Sequence, residues 1–192
     1  MIILWGAPGS GKSLQGQRLA EKYGFVWLSV GQILRDMQGG IPGLKAKMER
    51  GELVDDQLVI ETMREAIARV EHARKIAILD GYPRDQKQAE AFLKGPEKKY
   101  LQGVVKFVVP KAEILKRLKL RGREDDTEKV VTHRLKIFKY HNERMEALFR
   151  ENGVKIEAID GVGNLEEVQA RLEQILGDWK IISLAKLADE ET

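Results

Sequence analysis

The segment 6–13 carries the clearest chemical pattern in the chain. It reads Gly-Ala-Pro-Gly-Ser-Gly-Lys-Ser, a full match to the phosphate-loop pattern, and it lies between an apolar run and a helical pattern. Its glycines let backbone N–H groups point inward, so that the loop and the following helix terminus form a cradle for anions. We expect Lys12 to reach the outer phosphates of a nucleotide and the Ser13 hydroxyl to hold Mg²⁺. The segment therefore predicts a phosphate-binding loop.

Asp80 is the second candidate, because it ends an apolar run at residues 76–79. Ligands of open α/β sheets bind at the carboxyl ends of the strands, and an acid there can hold Mg²⁺ through water opposite the phosphate loop. The alternative is that Asp80 only caps the turn that follows.

These residues need a sheet to position them, and the sequence predicts one. Apolar runs bounded by breakers predict strands at 2–5, 25–28, 76–79, 104–109 and 154–159. Segments with apolar residues three and four apart lie between them, such as Leu58, Thr62, Ala66 and Val70, and predict helices. Strand and helix alternate, and several strands are apolar at nearly every position, as in a parallel sheet that is buried on both faces. The prediction is a doubly wound α/β fold.

Three segments fall outside this alternation. Residues 30–72 are longer than one crossover requires and predict a small helical insertion. Residues 121–126, Arg-Gly-Arg-Glu-Asp-Asp, predict a charged turn between two helices where a lid could lie. Residues 177–192 predict a short added helix to which the sequence assigns no role.

The composition excludes several classes of protein. The 192 residues, 43% hydrophobic and 33% charged, predict one packed domain. The absence of cysteine excludes disulfides, Cys-ligated zinc, iron–sulfur clusters and a thiol nucleophile, and it suits a cytoplasmic protein. The net charge is only +3 and cations alternate with acids, so we expect no nucleic-acid partner. Neither a signal peptide nor a membrane-spanning run is present in the sequence, so we expect no membrane partner.

Further motifs give the chain a specific resemblance. Residues 29–35 (Ser-Val-Gly-Gln-Ile-Leu-Arg), 51–56 (Gly-Glu-Leu-Val-Asp-Asp) and 80–88 (Asp-Gly-Tyr-Pro-Arg-Asp-Gln-Lys-Gln) match monophosphate-binding segments of one family, the last most closely. Arg117 and Arg121 match its R-x-x-x-R pair, and Arg123 and Arg134 match later arginines. Over residues 1 to about 176, the chain resembles the adenylate kinase family of nucleoside monophosphate kinases.

The resemblance implies a fold and a reaction. The fold is a P-loop NTPase core, a five-stranded parallel sheet flanked by helices, with an NMP-binding insertion at 30–72 and a very short lid at 121–126. Residues 1–176 would form a single kinase domain, and residues 177–192 an extension. The reaction is transfer of the terminal phosphoryl group of Mg²⁺-bound ATP to AMP, giving two ADP. ATP and AMP are the expected small-molecule partners, Mg²⁺ is the expected cofactor, and the expected state is a monomer.

The resemblance also implies roles for particular residues. The implied catalytic residues are Lys12, Arg84, Arg117, Arg121, Arg123 and Arg134. The implied ATP-binding residues are Gly9, Ser10, Gly11, Lys12, Ser13, Leu14, Arg117, Arg121 and Gly163. The implied AMP-binding residues are Val30, Arg35, Glu52, Leu53, Val54, Gly81, Tyr82, Pro83, Arg84, Gln88, Arg123 and Arg134. Ser13 and Asp80 would serve Mg²⁺, Asp80 through water.

These cations make physical sense for such a reaction. Joining two polyanions requires that their repulsion be neutralised, and arginine grips phosphate in two places with defined geometry. A phosphate acceptor has a pKa of about 6, so it is mostly ionised at pH 7 and needs no general base.

Departures from the family pattern bear on substrate choice. Gln88 stands where the family reads adenine, whereas relatives that prefer UMP or CMP carry Asn. Val30 replaces a threonine near the base, Gln32 an acid near the metal, and Ser13 and Leu14 a Gly-Thr pair. The alternatives are a UMP/CMP kinase, a non-catalytic ATP-binding regulatory protein, or a small-metabolite kinase on the same core, although the last would leave Gln88 without a purpose.

The lid is the largest departure. Only Gly122 separates Arg121 from Arg123. A lid this short is expected to leave the exclusion of water incomplete.

Overall fold

The computed structural model describes residues 1–50, 52, 54–122 and 127–183. A five-stranded, all-parallel sheet in the order β2-β3-β1-β4-β5 forms its centre. The strands are β1 Ile2–Gly6, β2 Val26–Ser29, β3 Ala77–Asp80, β4 Gly103–Val108 and β5 Ile156–Asp160. The α-helices are α1 Lys12–Tyr23, α2 Val30–Met37, α3 Leu44–Glu49, α4 Asp56–His72, α5 Gln86–Lys94, α6 Lys111–Arg121, α7 Glu128–Glu151 and α8 Leu165–Asp178, with a 3₁₀ helix at Pro96–Tyr100. The α/β prediction is confirmed, and each of the five strands begins and ends within two residues of its expected position.

The sheet is buried on both faces, as the apolar strands predicted. Along β1, Ile2 and Leu4 belong to one buried cluster, and Ile3 and Trp5 belong to another, because successive side chains point to opposite faces. Helices α1 and α8 cover the first face, and α4, α5 and α7 cover the second. The two clusters hold the carboxyl edge of the sheet in place.

That edge brings together residues that are distant in sequence. β1 is the middle strand, with β3 on one side and β4 on the other, so the loop after β1 opens at a switch point where ligands of such sheets bind. Asp80 at the end of β3 is in register with Leu4 of β1 and Ser29 of β2.

The segment 30–72 contains three helices, α2, α3 and α4. α2 is capped by Ser29, whose hydroxyl accepts from the Gln32 N–H, and α4 by Asp55, whose carboxylate accepts from the Leu58 N–H. The buried side of α4 is formed by Val59, Ile60, Met63, Ile67 and Val70. The helix predicted from Leu58, Thr62, Ala66 and Val70 is present, although of these four residues only Val70 belongs to its buried side.

The connection between α6 and α7 is short. α6 ends at Arg121, Gly122 follows with φ 61°, and α7 begins at Glu128 behind Thr127, its capping residue. Six residues therefore join the two helices, and residues 123–126 of the expected lid lie outside the described residues.

Residues 179–183, which follow α8, pack on the core, and residues 184–192 of the expected extension lie outside the described residues. Ile181 is 1% exposed and belongs to the cluster under α1 and α8, and Trp179 and Ile182 pack against that cluster. Among the described residues, no helix is both long enough and apolar enough to cross a membrane.

Candidate active site

The loop between β1 and α1 has the backbone geometry of an anion cradle. Gly9 and Gly11 have φ values of 82° and 93°, a left-handed conformation that side chains rarely adopt. Gly11 caps α1 without a side-chain hydrogen bond, and the first turn of α1 contains no acid. The N–H groups at this helix terminus are thus left for an anion.

Lys12 and Asp80 lie beside this loop. The Lys12 Nζ is 4.0 Å from the Asp80 Oδ1 and donates to the Ala7 carbonyl oxygen at 3.3 Å. Burial lowers the pKa of Lys12; Asp80 opposes this shift, while Arg84 and Arg121 add to it. A phosphate at this point would attract the Lys12 ammonium and oppose the lowering.

The guanidinium groups of Arg35 and Arg84 lie close together at a second place, apart from the phosphate loop. A Cβ built on Gly31 would lie 3.4 Å from the Arg84 Nη2 and 3.5 Å from the Arg35 Nη1, so the two guanidinium groups are neighbours. The Gln32 Oε1 accepts from the Arg35 Nη2 at 3.0 Å, and the Gly81 carbonyl oxygen accepts from the Arg84 Nε at 2.7 Å. Burial, and then the nearby arginines, lower the pKa of Arg84, against the influence of Asp80. Two adjacent cations of this kind form an anion site.

Three arginines of helices α6 and α7 complete the cationic set. The Arg117 Nε donates to the Glu113 Oε1 at 2.8 Å, and the Arg117 Nη1 donates to the Ser10 carbonyl oxygen at 3.3 Å, which ties α6 to the phosphate loop. Arg134 on α7 donates to the Met48 carbonyl oxygen at 3.2 Å, and Arg121 ends α6.

These groups line one cavity of about 710 Å³. The site residues expected from the sequence that line it are Gly9, Ser10, Gly11, Lys12, Ser13, Leu14, Arg35, Glu52, Val54, Asp80, Gly81, Pro83, Arg84, Arg117, Arg121, Arg134 and Gly163. Among the described residues, its ionisable lining consists of six cations and only two acids, Glu52 and Asp80. Arg50 forms an ion pair with Glu52, so the cavity is strongly cationic.

Three residues expected at the AMP site do not reach the cavity surface. Val30 is fully buried, and Tyr82 packs its ring against Phe92 in the core. Gln88 is 1% exposed, and both ends of its amide contact other residues of the protein. Contact between these side chains and a nucleotide stays a prediction. Leu53 and Arg123 were also expected at the site, and both lie outside the described residues.

The structure adds lining residues that the sequence did not single out. Trp5, Trp27, Met48 and Phe138 contribute apolar surface. Gln15 lines the cavity while its Nε2 donates to the Leu165 carbonyl oxygen at 3.0 Å, and its Oε1 is buried without a partner. Trp5 and Trp27 belong to predicted strands, a location that favours core packing over stacking on a base.

Ser13 and Asp80 fit the needs of Mg²⁺. In the described part of the chain, no group of three or more His, Cys, Asp or Glu side chains could hold a metal ion. Mg²⁺ usually takes one or two protein oxygens and completes its shell with phosphates and water. A hydroxyl and a carboxylate that line one cavity match that demand.

Comparison with known proteins gives one consistent result. The family model for adenylate kinase matches residues 4–154. An adenylate kinase of Thermus thermophilus is 40% identical over 186 residues, covering 92% of this chain and 96% of that protein. The adenylate kinases of Prochlorococcus marinus and Mycobacterium marinum are 36% and 35% identical over 182 residues, each covering 92% of this chain and 98% of the relative.

Proposed function

The chain belongs to the adenylate kinase family, and on that basis we propose that it transfers the terminal phosphoryl group of ATP to AMP, giving two ADP. The observation that carries the proposal is the shared cavity, in which the phosphate loop and the Arg35–Arg84 pair lie among six cations. Two separate anion sites in one cavity are what a reaction between two phosphate-bearing substrates needs. We place this activity in the cytoplasm.

The phosphate loop is the ATP side of the proposal. Backbone N–H groups at the start of α1 bind the phosphates, and the Lys12 ammonium neutralises the transferring group. Arg117 and Arg121 add charge from α6, and Arg117 is held against the loop by its bond to the Ser10 carbonyl oxygen.

The Arg35–Arg84 pair is the AMP side. Each guanidinium offers two parallel N–H groups to the acceptor phosphate, which fixes the phosphate's orientation as well as its place. Arg134, from α7, and Arg123 would hold the acceptor and the transferring group together. The acceptor oxygen is already ionised near pH 7, so no side chain has to remove a proton.

Ser13 and Asp80 would hold Mg²⁺, Ser13 directly and Asp80 through water. When bound, Mg²⁺ supplies positive charge to the phosphate oxygens during transfer. The Lys12 Nζ lies 4.0 Å from the Asp80 Oδ1, so the lysine and the metal ligand would act on the same phosphates.

The direct test is an assay of ADP formation from Mg²⁺-ATP with AMP, dAMP, GMP, UMP and CMP in parallel. We expect AMP to be the best acceptor. Equal rates with AMP and UMP would instead support a UMP/CMP kinase, and no turnover with any acceptor would support a non-catalytic ATP-binding protein.

A variant pair then tests the acceptor site. Arg84→Ala should lower kcat/KM for AMP by about 100-fold, because a charged, two-pronged contact is lost. Arg69→Ala is the matched control, since its side chain is 80% exposed on α4 and pairs with Glu65. An Arg84→Ala enzyme as active as the control would contradict the assignment.

A further inference from the structure

The Gln88 side chain on α5 has both ends of its amide engaged. Its Nε2 donates to the Asp56 Oδ1 at 2.9 Å, and its Oε1 accepts from the backbone N–H of Arg84, also at 2.9 Å. Gln88 is 1% exposed, so these partners act with little competition from water.

These two partners fix the direction of the amide. A half-turn of the carboxamide exchanges its oxygen and its nitrogen with almost no change in shape. In the exchanged state, the oxygen would face the Asp56 carboxylate and the NH₂ group would face the Arg84 N–H. Both contacts are unfavourable, one between two acceptors and one between two donors. Only the observed direction satisfies both partners.

Asp56 is itself held in place. It is the first residue of α4, directly after the capping residue Asp55, where the helix dipole favours a carboxylate. The Asp85 carboxyl group contacts it, and the Lys87 Nζ lies 4.0 Å from its Oδ2. Asp85 is anchored in turn, because its Oδ1 accepts from the Gln88 N–H at 2.9 Å.

Gln88 and its partners lie directly behind the cavity wall. Arg84, whose N–H contacts the Gln88 Oε1, lines the cavity, and so does Val54, two residues before Asp56. Gln88 does not reach the cavity surface, so the side chains over it have to move before a base can contact the amide. The base would then meet one hydrogen on Nε2 and one lone pair on Oε1 that neither Asp56 nor the Arg84 N–H uses.

We propose that Asp56 is a specificity-determining positioning residue, which holds the Gln88 amide in the direction that accepts a 6-amino purine and rejects a 6-oxo purine. This inference rests on the proposed function. Adenine offers an amino donor at position 6 and an acceptor at N1, and the hypoxanthine base of inosine monophosphate offers the reverse with the same outline. A fixed amide matches one pattern only.

The test compares kcat/KM for AMP with kcat/KM for inosine monophosphate. The AMP preference of the wild-type enzyme should fall by about tenfold in Asp56→Ala, because only the Arg84 N–H then opposes reversal of the amide, while KM for ATP stays the same. Asp56→Ser should show the same fall, because a hydroxyl can donate or accept and so does not select one direction of the amide. Serine suits a first helical turn, so this variant replaces Asp56→Ala in the test if the alanine variant fails to fold. Asp56→Asn, with a carbonyl oxygen at the same place, should keep most of the preference.

Two controls separate positioning from general damage. Glu61→Ala removes another acid from α4 and should leave the preference unchanged, since Glu61 contacts Gln57 and not Gln88. In a Gln88→Ala background, Asp56→Ala should have no further effect on the preference. An unchanged preference in both Asp56→Ala and Asp56→Ser, or an equal fall in Glu61→Ala, overturns the inference while leaving AMP kinase activity intact. A wild-type enzyme inactive on AMP overturns the proposed function as well.

Discussion

Asp85 shows how one residue's surroundings change its chemistry. Burial, and then its contact with Asp56, raise the pKa of Asp85 from an ordinary value of 3.8 to about 6. Between these two values the folded protein holds a proton that the unfolded chain has released. The contribution of Asp85 to the free energy of unfolding is therefore largest below pH 4 and is lost as the pH rises through about 6.

Asp85→Asn should remove this dependence. Asparagine is also a good N-cap, so it can still accept from the Gln88 N–H. We expect the wild-type protein to lose stability relative to Asp85→Asn as the pH rises from 4 to 6, measured as the difference in urea-unfolding free energy at each pH. The exposed Asp178, at the end of α8, provides the control Asp178→Asn. The difference in unfolding free energy between the wild type and Asp178→Asn should not change with pH. If it changes as much as the difference for Asp85→Asn, the pH dependence does not come from Asp85.

The sequence predicted the phosphate loop and the arginines of the cavity better than the apolar residues that line it. The phosphate loop and the arginines carry spacing that only their chemistry explains, and the described ones line the cavity. Met48 and Phe138 carry no such signal, because an apolar residue at helical spacing fits a core equally well. The hydrogen bond between Gln88 and Asp56 was also hidden, since it joins two helices through residues that lie 32 positions apart in sequence.

At the scale of the elements, helix α8 begins with a capping box. The Asn164 side chain accepts from the Glu167 N–H at 2.9 Å, and the Glu167 carboxylate accepts from the Asn164 N–H at 3.0 Å. Asn164→Ala breaks this capping box and should lower the free energy of unfolding by about 1 kcal/mol, measured by urea denaturation. Gln174→Ala is the comparison, because Gln174 is exposed within the same helix, away from its start. An equal loss in both would contradict a specific role for the cap.

The strands were easier to predict than the helix faces. A parallel strand covered on both sides is apolar at almost every position, so its limits follow from composition alone. In α4, apolar or small residues occupy adjacent positions, such as Leu58, Val59 and Ile60, and the pattern does not choose between them. Packing on the sheet buries Val59 and Ile60 and leaves Leu58 at the margin.

For the whole molecule, residues 179–183, after α8, add to the core. Ile181→Ala should lower the free energy of unfolding by about 2–4 kcal/mol, since it deletes most of a fully buried side chain. Leu120→Ala should change it by less than about 0.5 kcal/mol, because Leu120 is 79% exposed. Chemical denaturation of both variants measures the difference. Equal effects would show that Ile181 does not contribute to the core.

The short connection between α6 and α7 leads to a prediction about side reactions. Six residues leave little chain to cover the transferring phosphoryl group, so some ATP should be hydrolysed by water. Phosphate release from Mg²⁺-ATP, with and without AMP, should exceed that of a relative with a longer connection. A release no greater than the relative's would show that six residues suffice, and would make α2, α3 and α4 the candidates for the covering element.

The positions of the three tryptophans make their intrinsic fluorescence a reporter of ligand binding. Trp5 and Trp27 line the cavity, whereas Trp179 packs beyond α8, with its Nε1 donating to Glu157 and the Lys155 ammonium over its ring. A nucleotide entering the cavity changes the surroundings of two of the three indoles and leaves the third as a constant background. Ultraviolet emission can therefore follow substrate arrival in the unmodified chain, without a dye or a coupled enzyme, and Trp179→Phe would remove the background.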